Sequence, residues 1–221
     1  MALRTYIYRC LRPILCSYRA AAFHMILGHA RAILCVVIWA WTGIAGMTLP
    51  APAAEAPRLI EHAFTVTPRR PLLAHMRFCL LYQGQCDAYP DRRAPTKRKT
   101  ERKAEALAVN LSVNQSIRPV PDRGFDSWDI DVSEGDCEDY ALQKRADLLA
   151  QGWPSAALRL AIVRTRHDVP HVVLLVRIGA VDYALDNLHA RILPWDETDY
   201  SFLMLQDHTD PRAWHDLSDM R

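Results

Sequence analysis

The stretch Gly135-Asp136-Cys137-Glu138-Asp139-Tyr140 begins a helical pattern and places a cysteine in its first turn. The N-terminus of a helix carries partial positive charge, which favours the thiolate, the nucleophilic form of cysteine. The stretch therefore predicts a nucleophilic thiol on Cys137, as in a cysteine hydrolase.

The helix that follows is predicted over residues 137–151, because apolar residues recur at helical spacing and Gly152 ends the pattern. Asp136 stands where an N-cap is expected, and Glu138 and Asp139 suit the positive end of the helix. Capping by itself would account for all three acids.

A second helix is predicted upstream over residues 102–117, where apolar residues again recur at helical spacing and Pro119 stops the pattern. Its polar Asn110, Asn114 and Gln115 could face a cleft. Ordinary solvent exposure is the expectation for these three side chains.

Three strands are predicted over residues 158–163, 171–178 and 181–186, with Gly179-Ala180 as a tight connection between the last two. A helix packed on an antiparallel sheet follows from this order of elements. The fold class is therefore α+β, with the nucleophile at the N-terminus of a helix that packs on the sheet.

The hairpin predicts a catalytic triad. A turn at Gly179-Ala180 brings the start of one strand, at His171, opposite the end of its partner, at residues 186–188. His171 would take the proton from Cys137, and Asp186 would fix the tautomer and orientation of the imidazole. The backbone N–H of Cys137 is a candidate oxyanion donor.

Other residues could fill the roles of base and acid. His167 lies in a polar stretch that ends at a proline and is typical of a loop, and His189 follows the last strand as a loop residue. Asp182 is the alternative to Asp186. Trp128 could wall the cleft, but a core position is expected for it.

Residues 1–54 resemble a secretory signal peptide. They contain five arginines and no acid, then an apolar run over residues 33–49, then Pro50-Ala51-Pro52-Ala53-Ala54. We expect cleavage near these alanines and export to the periplasm or beyond, with an uncleaved anchor as the alternative. Met25 would start a leader of more ordinary length, so translation could begin there, and residues 1–24 would then not be part of the protein.

Without this leader the charge balance changes sign. The chain holds 27 basic and 25 acidic residues, and the leader holds 5 and none, so 22 basic and 25 acidic residues remain. This balance gives no indication of a nucleic-acid partner. We expect residues 55–75 to be a lead-in or linker and residues 76–221 to form one peptidase domain.

Three of the six cysteines lie in the leader, which leaves Cys79, Cys86 and Cys137. In an oxidising compartment we expect a disulfide between Cys79 and Cys86, with Cys137 the free thiol. A metal clip is the alternative, but no second Cys or His pair stands nearby to complete a tetrahedral site.

Several strings carry a family resemblance: Gly135-Asp136-Cys137-Glu138-Asp139-Tyr140, Pro170-His171-Val172-Val173-Leu174, Leu185-Asp186-Asn187-Leu188 and the cysteine-bounded segment 78–86. They resemble the bacterial transglutaminase-like cysteine proteinases over roughly residues 65–215. The resemblance implies a papain-like, transglutaminase-like fold with a triad of Cys137, His171 and Asp186. One departure is Pro170, which stands where a glycine is common in the family.

The resemblance also implies Ca²⁺ as a cofactor, with Asp136, Glu138 and Asp139 at the matching positions. Carboxylate oxygens suit this hard cation, and three neighbouring acids repel one another unless something offsets their charge. Implied partners are a protein substrate such as a surface adhesin, and an inner-membrane regulatory receptor.

The expected function is that of an exported cysteine endopeptidase acting through a thioester acyl-enzyme. Two alternatives remain open: an acyl transferase of the transglutaminase type, and a calcium-dependent binding module without enzymatic activity. The first shares the chemistry up to the thioester, so the residues do not separate it from hydrolysis.

Overall fold

A computed structural model describes residues 56–70, 72–88 and 97–219. The predicted signal peptide lies outside the described residues. Within them, no helix is both long and apolar enough to cross a membrane.

The centre of the fold is a seven-stranded antiparallel sheet with the strand order β1-β9-β8-β4-β5-β6-β7. Its strands are β1 (Phe64–Arg69), β4 (Leu158–Arg164), β5 (Pro170–Ile178), β6 (Val181–Leu185), β7 (Leu193–Pro194), β8 (Ser201–Gln206) and β9 (Trp214–Asp219). A short parallel pair, β2 (Arg118–Pro119) and β3 (Glu134–Gly135), stands apart from this sheet. The three strands predicted from the sequence are β4, β5 and β6, each within one residue at either end.

The helices are α1 (Leu73–Leu81), α2 (Lys99–Ser116) and α3 (Cys137–Ala150). Both predicted helices are confirmed, and α2 begins three residues earlier than its apolar pattern indicated. Glu101 stabilises this polar first turn, because its carboxylate accepts a hydrogen bond from the backbone N–H of Arg98 at 3.0 Å.

The central strands of the sheet are buried on both faces. On β5, Val172, Leu174 and Val176 belong to the apolar cluster that includes α2 and α3, while Val173 and Leu175 belong to a second cluster. This alternation follows from the two-residue period of a strand. The expected fold of a helix packed on an antiparallel sheet is confirmed.

The N-terminal part of the described chain takes part in the sheet. Arg58 makes a parallel bridge to Val181 of β6, and β1 pairs with β9 along its whole length. Between these two points Ile60 is fully buried in the second apolar cluster. The stretch 55–75 thus contains a strand of the main sheet.

The disulfide between Cys79 and Cys86 is confirmed, with 5.5 Å between the two Cα atoms. It joins α1 to the loop after it. His75 lies beside both sulfurs and accepts a hydrogen bond at Nδ1 from the indole N–H of Trp214 in β9, at 3.1 Å. Trp128 packs edge-on to the same imidazole and is 3% exposed, which confirms its expected place in the core.

Candidate active site

Cys137 is the first residue of α3 and carries a free thiol. Asp136 is the N-cap, as predicted, in a reciprocal capping box with Asp139. A Cβ atom at position 135 would collide with the Asp139 carboxylate, so only glycine fits there. The order glycine, cap, cysteine therefore has a local physical reason: it lets the capping acid fold back and starts the helix at the thiol.

The surroundings of the thiol oppose its ionisation. Burial raises the pKa of Cys137, and the Glu138 carboxylate raises it further, both by its charge and by accepting a hydrogen bond from Sγ at 3.2 Å. The backbone N–H of Val172 acts in the other direction. Burial and Glu138 disfavour the thiolate that the helix N-terminus would favour. Attack by this sulfur therefore needs a base within reach.

His171 lies at the start of β5, one residue from the Val172 N–H that contacts the sulfur. Its Nε2 is hydrogen-bonded to Asp186 Oδ1 at 2.8 Å, and both side chains are buried. Since the carboxylate occupies Nε2, Nδ1 is the nitrogen left to accept a proton. Cys137 and His171 line the same two cavities.

Asp186 is the first residue after β6 and holds several donors at once. Its carboxylate accepts hydrogen bonds from the Leu188 N–H at 3.0 Å, from His189 Nδ1 at 2.8 Å and from the Tyr200 hydroxyl. Burial by itself would raise the pKa of Asp186, but the bonds from His171 and these donors outweigh it and hold the pKa well below its usual range. The side chain is therefore an anion beside the imidazole.

Asp182, the alternative acid, has a different environment. It is fully buried and accepts hydrogen bonds from the Ile60 N–H and from the guanidinium groups of Arg159 and Arg177, all at 3.0 Å. These bonds engage both carboxylate oxygens. His167 lies in the loop before β5 and is exposed, as its sequence context indicated.

Two cavities of about 610 and 490 Å³ meet at Cys137 and His171. The first is lined partly by Pro119, Val120, Leu188 and Tyr200, and the second partly by Leu73, Phe125, Trp128 and Ile162. Trp128 is thus both a core residue and part of the cleft wall. An extended polypeptide could pass the thiol with side chains in both cavities, which is the arrangement an endopeptidase needs.

An acidic cluster adjoins the thiol. Carboxylate oxygens of Asp122, Asp136 and Glu138 lie within 4.8 Å of one another. Asp136 Oδ1 and Glu138 Oε1 are buried without a hydrogen-bond partner in the described part of the chain. Burial raises the pKa of Glu138, and contact with Asp136 and Asp126 raises it further. Oxygen-only donors with unused lone pairs fit a hard cation such as Ca²⁺.

Asp139, the third acid expected as a ligand, is engaged in the helix cap. Its two oxygens accept hydrogen bonds from the backbone N–H groups of Asp129 and Asp136, and burial raises its pKa to about 7. Asp122 takes its place in the cluster and was missed from the sequence. The signal was available, because the loop before α3 is rich in aspartate.

The family profile described as bacterial transglutaminase-like cysteine proteinase BTLCP matches residues 65–221. The chain belongs to this family of cysteine peptidases. The resemblance read from the sequence is confirmed, and so is the peptidase class that it implied.

Three solved structures of Legionella pneumophila LapG are similar to this proteinase. One shares 26% identity over 49% of this chain and 65% of the LapG chain, with a TM-score of 0.41. The calcium-bound form shares 26% over 59% and 80%, and the EGTA-treated form 24% over 61% and 82%, each with a TM-score of 0.43. No curated protein matches the chain. With TM-scores in this range, the assignment rests on the sequence profile.

Other polar residues around the proteinase site were misjudged or overlooked. Asn110 is fully buried rather than exposed to solvent, and both Asn110 and Asn114 bind the loop that carries Asp186. Tyr200 and His189 both contact the Asp186 carboxylate. Sequence periodicity could not reveal the asparagine contacts, because they join segments more than 70 positions apart in the chain. The contact of His189 with Asp186 spans three residues, but it depends on the irregular path of a loop.

Proposed function

We propose that this proteinase is an exported endopeptidase that hydrolyses a peptide bond through Cys137, His171 and Asp186. The observation that supports it most directly is the 2.8 Å hydrogen bond between His171 Nε2 and Asp186 Oδ1, beside a cleft that the thiol shares. A cysteine with a raised pKa needs such a base, and a buried anionic aspartate stabilises the imidazolium that forms.

His171 Nδ1 takes the thiol proton as Sγ attacks the peptide carbonyl, and the carbonyl π electrons move onto the oxygen. The backbone N–H of Cys137, which has no acceptor within the helix at this first position, is the candidate donor to that oxyanion. Collapse of the tetrahedral intermediate breaks the C–N bond, and His171 gives its proton to the leaving amine. Water activated by His171 then hydrolyses the thioester and restores the thiol.

We also propose that Asp122, Asp136 and Glu138 hold Ca²⁺ beside the nucleophile. The charge of the three acids and the unpartnered oxygens of Asp136 and Glu138 support this site. When bound, the cation would neutralise charge next to the thiol. Asp139 would serve the site indirectly, since it caps the helix that carries two of the ligands.

The predicted signal peptide supports export to the periplasm, and membership of a proteinase family supports a protein substrate. A surface adhesin is the substrate we propose, with an inner-membrane receptor as a regulator. Both follow from the family resemblance.

The test uses the purified protein with a library of internally quenched peptides, assayed with calcium present. We expect cleavage that Cys137→Ala abolishes and that His171→Ala and Asp186→Asn each lower by about 10³-fold or more. Dansylcadaverine joined to casein without any peptide cleavage would instead identify an acyl transferase. A wild-type protein that shows neither cleavage nor transfer would favour a binding module.

Chelation tests the cation separately. We expect EGTA to lower the cleavage rate, Ca²⁺ to restore it, and Asp122→Asn to raise the Ca²⁺ concentration for half-maximal rate by about tenfold or more. The half-exposed Asp216, which pairs with Arg69, is the control, because Asp216→Asn removes the same charge outside the cluster. A cleavage rate unchanged by EGTA would contradict the calcium site.

A further inference from the structure

The loop that carries Asp186 has no ladder to support it. The pairing between β5 and β6 ends at Leu174 and Leu185, one residue before Asp186, and residues 186–192 form no helix or strand. A side chain on such a loop keeps its orientation only if other groups hold the backbone. The hydrogen bond to His171 requires that orientation to be kept.

Two asparagines on one side of α2 supply these groups. Asn110 Oδ1 accepts a hydrogen bond from the backbone N–H of Asp186 at 3.0 Å. Asn114, one turn later, donates from Nδ2 to the carbonyl oxygen of the same residue at 2.8 Å. The peptide groups on both sides of the Asp186 Cα atom are therefore held by amide side chains of one helix.

The same two amides hold the rest of the loop. Asn110 Nδ2 also donates to the carbonyl oxygens of His189 at 3.1 Å and Ala190 at 3.3 Å, and Asn114 Nδ2 lies 3.4 Å from that of His189. Asn110 is fully buried, so no water can replace its bonds if the side chain is changed. An amide fits this position, because it carries an oxygen that accepts from the Asp186 N–H and an NH₂ group with two donors for the two carbonyl oxygens.

We propose that Asn110 and Asn114 are positioning residues of the catalytic site, which hold Asp186 where its carboxylate can orient His171. This proposal rests on the proposed triad. Neither asparagine touches the thiol or lines the cleft, so both act through the aspartate.

Asn110→Asp is the decisive variant. It keeps the size of the side chain and the oxygen that accepts from the Asp186 N–H, but it replaces the NH₂ donor group with an oxygen that repels the two carbonyl oxygens. We expect kcat on the best-cleaved peptide to fall by roughly 10- to 100-fold with KM within about twofold, since a misplaced orienting group slows chemistry without affecting peptide binding. Asn114→Asp should act in the same direction.

Two matched variants on α2 separate positioning from general damage. Gln115→Glu makes the same amide-to-acid change at an exposed position, and Val113→Ala removes buried apolar contacts without touching the loop. We expect both to keep kcat within about twofold at a temperature where every variant is folded.

A substrate-free measurement keeps the two proposals distinguishable. In ¹H NMR spectra, the imidazole N–H proton that bonds Asp186 should give a far-downfield signal, absent in His171→Ala. We expect this signal to be lost or shifted in Asn110→Asp, as in Asp186→Asn, and kept in the two control variants. An Asn110→Asp protein with the wild-type signal and kcat would overturn the positioning role and leave the triad intact. A wild-type protein that cleaves no peptide would overturn the proposed function, while the signal would still report whether the asparagine holds Asp186.

Discussion

Lys144 lies within α3 with none of its surface exposed, and its ammonium group makes no hydrogen bond to the described part of the chain. The aromatic ring of Tyr140, 5.8 Å away, is a weak partner for a buried charge. Burial lowers the pKa of Lys144 to about 7, and the negative charge of Asp186 acts in the opposite direction. The residue therefore reduces the stability of the fold.

Lys144→Met should raise the free energy of unfolding by about 1–4 kcal/mol near neutral pH, because it fills the same space without a buried charge. The folded-state pKa lies below the unfolded value of 10.5, so the wild type loses stability as the pH falls from 10.5 towards 7. The advantage of the variant should thus be larger at pH 6.5 than at pH 9. Urea denaturation at the two pH values measures it.

Lys99→Met is the control for this prediction, since Lys99 is exposed at the start of α2. Its effect should stay within about 0.5 kcal/mol at both pH values. An unchanged stability difference between pH 6.5 and 9 for Lys144→Met would show that the buried amine does not titrate in this range.

The imidazole of His75 connects helix α1 with the sheet. His75 accepts the Trp214 indole N–H and packs edge-on against the rings of Trp128 and Trp214. Burial lowers the pKa of His75 to about 4, with the positive charges of Arg145 and Arg212 adding to the effect. The neutral form is therefore the one that docks α1.

Because the folded-state pKa of His75 is depressed from 6.5, its stabilising contribution is complete above pH 6.5 and is lost as the pH falls to about 4. Protonation of His75 alone should lower the free energy of unfolding of the wild type by about 3 kcal/mol over that pH range. His75→Gln, which can still accept from the indole but does not titrate, should lose less stability over the same window, measured as free energy of unfolding at pH 7 and pH 4.5.

Carboxylates with depressed pKa values also destabilise the protein at low pH. The prediction is therefore tested by comparing variants rather than by the pH dependence of the wild type alone. His62→Gln is the control, since His62 is exposed and its variant should keep the wild-type slope. If the free energy of unfolding fell equally with pH in His75→Gln and in the wild type, the prediction for His75 would be wrong.

Across the molecule, one buried carboxylate joins the N-terminal segment to the central strands. Asp182 of β6 binds the Ile60 N–H, Arg159 of β4 and Arg177 of β5, and the same two arginines also pair with Glu61. The network thus connects three neighbouring strands with the segment that leads into β1, the far edge of the sheet.

Asp182→Asn should lower the free energy of unfolding by about 3 kcal/mol, because Arg159 and Arg177 lose their buried anion and keep only the part-buried Glu61 carboxylate. Peptide cleavage by the folded fraction should remain near the wild-type rate. Asp186→Asn should do the reverse, with most activity lost and a smaller change in stability. Urea denaturation and the quenched-peptide assay measure the two effects, and a large loss of activity in folded Asp182→Asn would contradict this division of roles.

Local patterns were enough to predict α3, its cap at Asp136 and the hairpin of β5 and β6. Each of these features is set by residues close in sequence: a capping acid, a repeating apolar position, and Gly179 at a turn with φ of 64°. The Cys79–Cys86 disulfide closes a separation of only seven residues, and it too could be predicted.

Long-range pairings could not be derived in the same way. Asp122 and Asp139 show the difference: both are acids near the nucleophile, but only the path of the loop before α3 brings Asp122 to the cluster and leaves Asp139 in the cap. The pairing of β1 with β9 joins residues about 150 positions apart, and no periodicity carries that information.

The sequence alone predicts the α+β class, the nucleophile at a helix N-terminus, and the histidine and aspartate that the hairpin of β5 and β6 brings together. Helix caps, strand alternation and a tight turn are local properties of the chain. Tertiary structure alone decides how those groups are held and tuned. Contacts between distant segments bury Cys137 and raise its pKa, and they bring the two asparagines to the Asp186 backbone. They also place Asp122, rather than Asp139, in the acidic cluster. Such contacts exist only after the apolar faces of α2, α3 and the sheet have packed together.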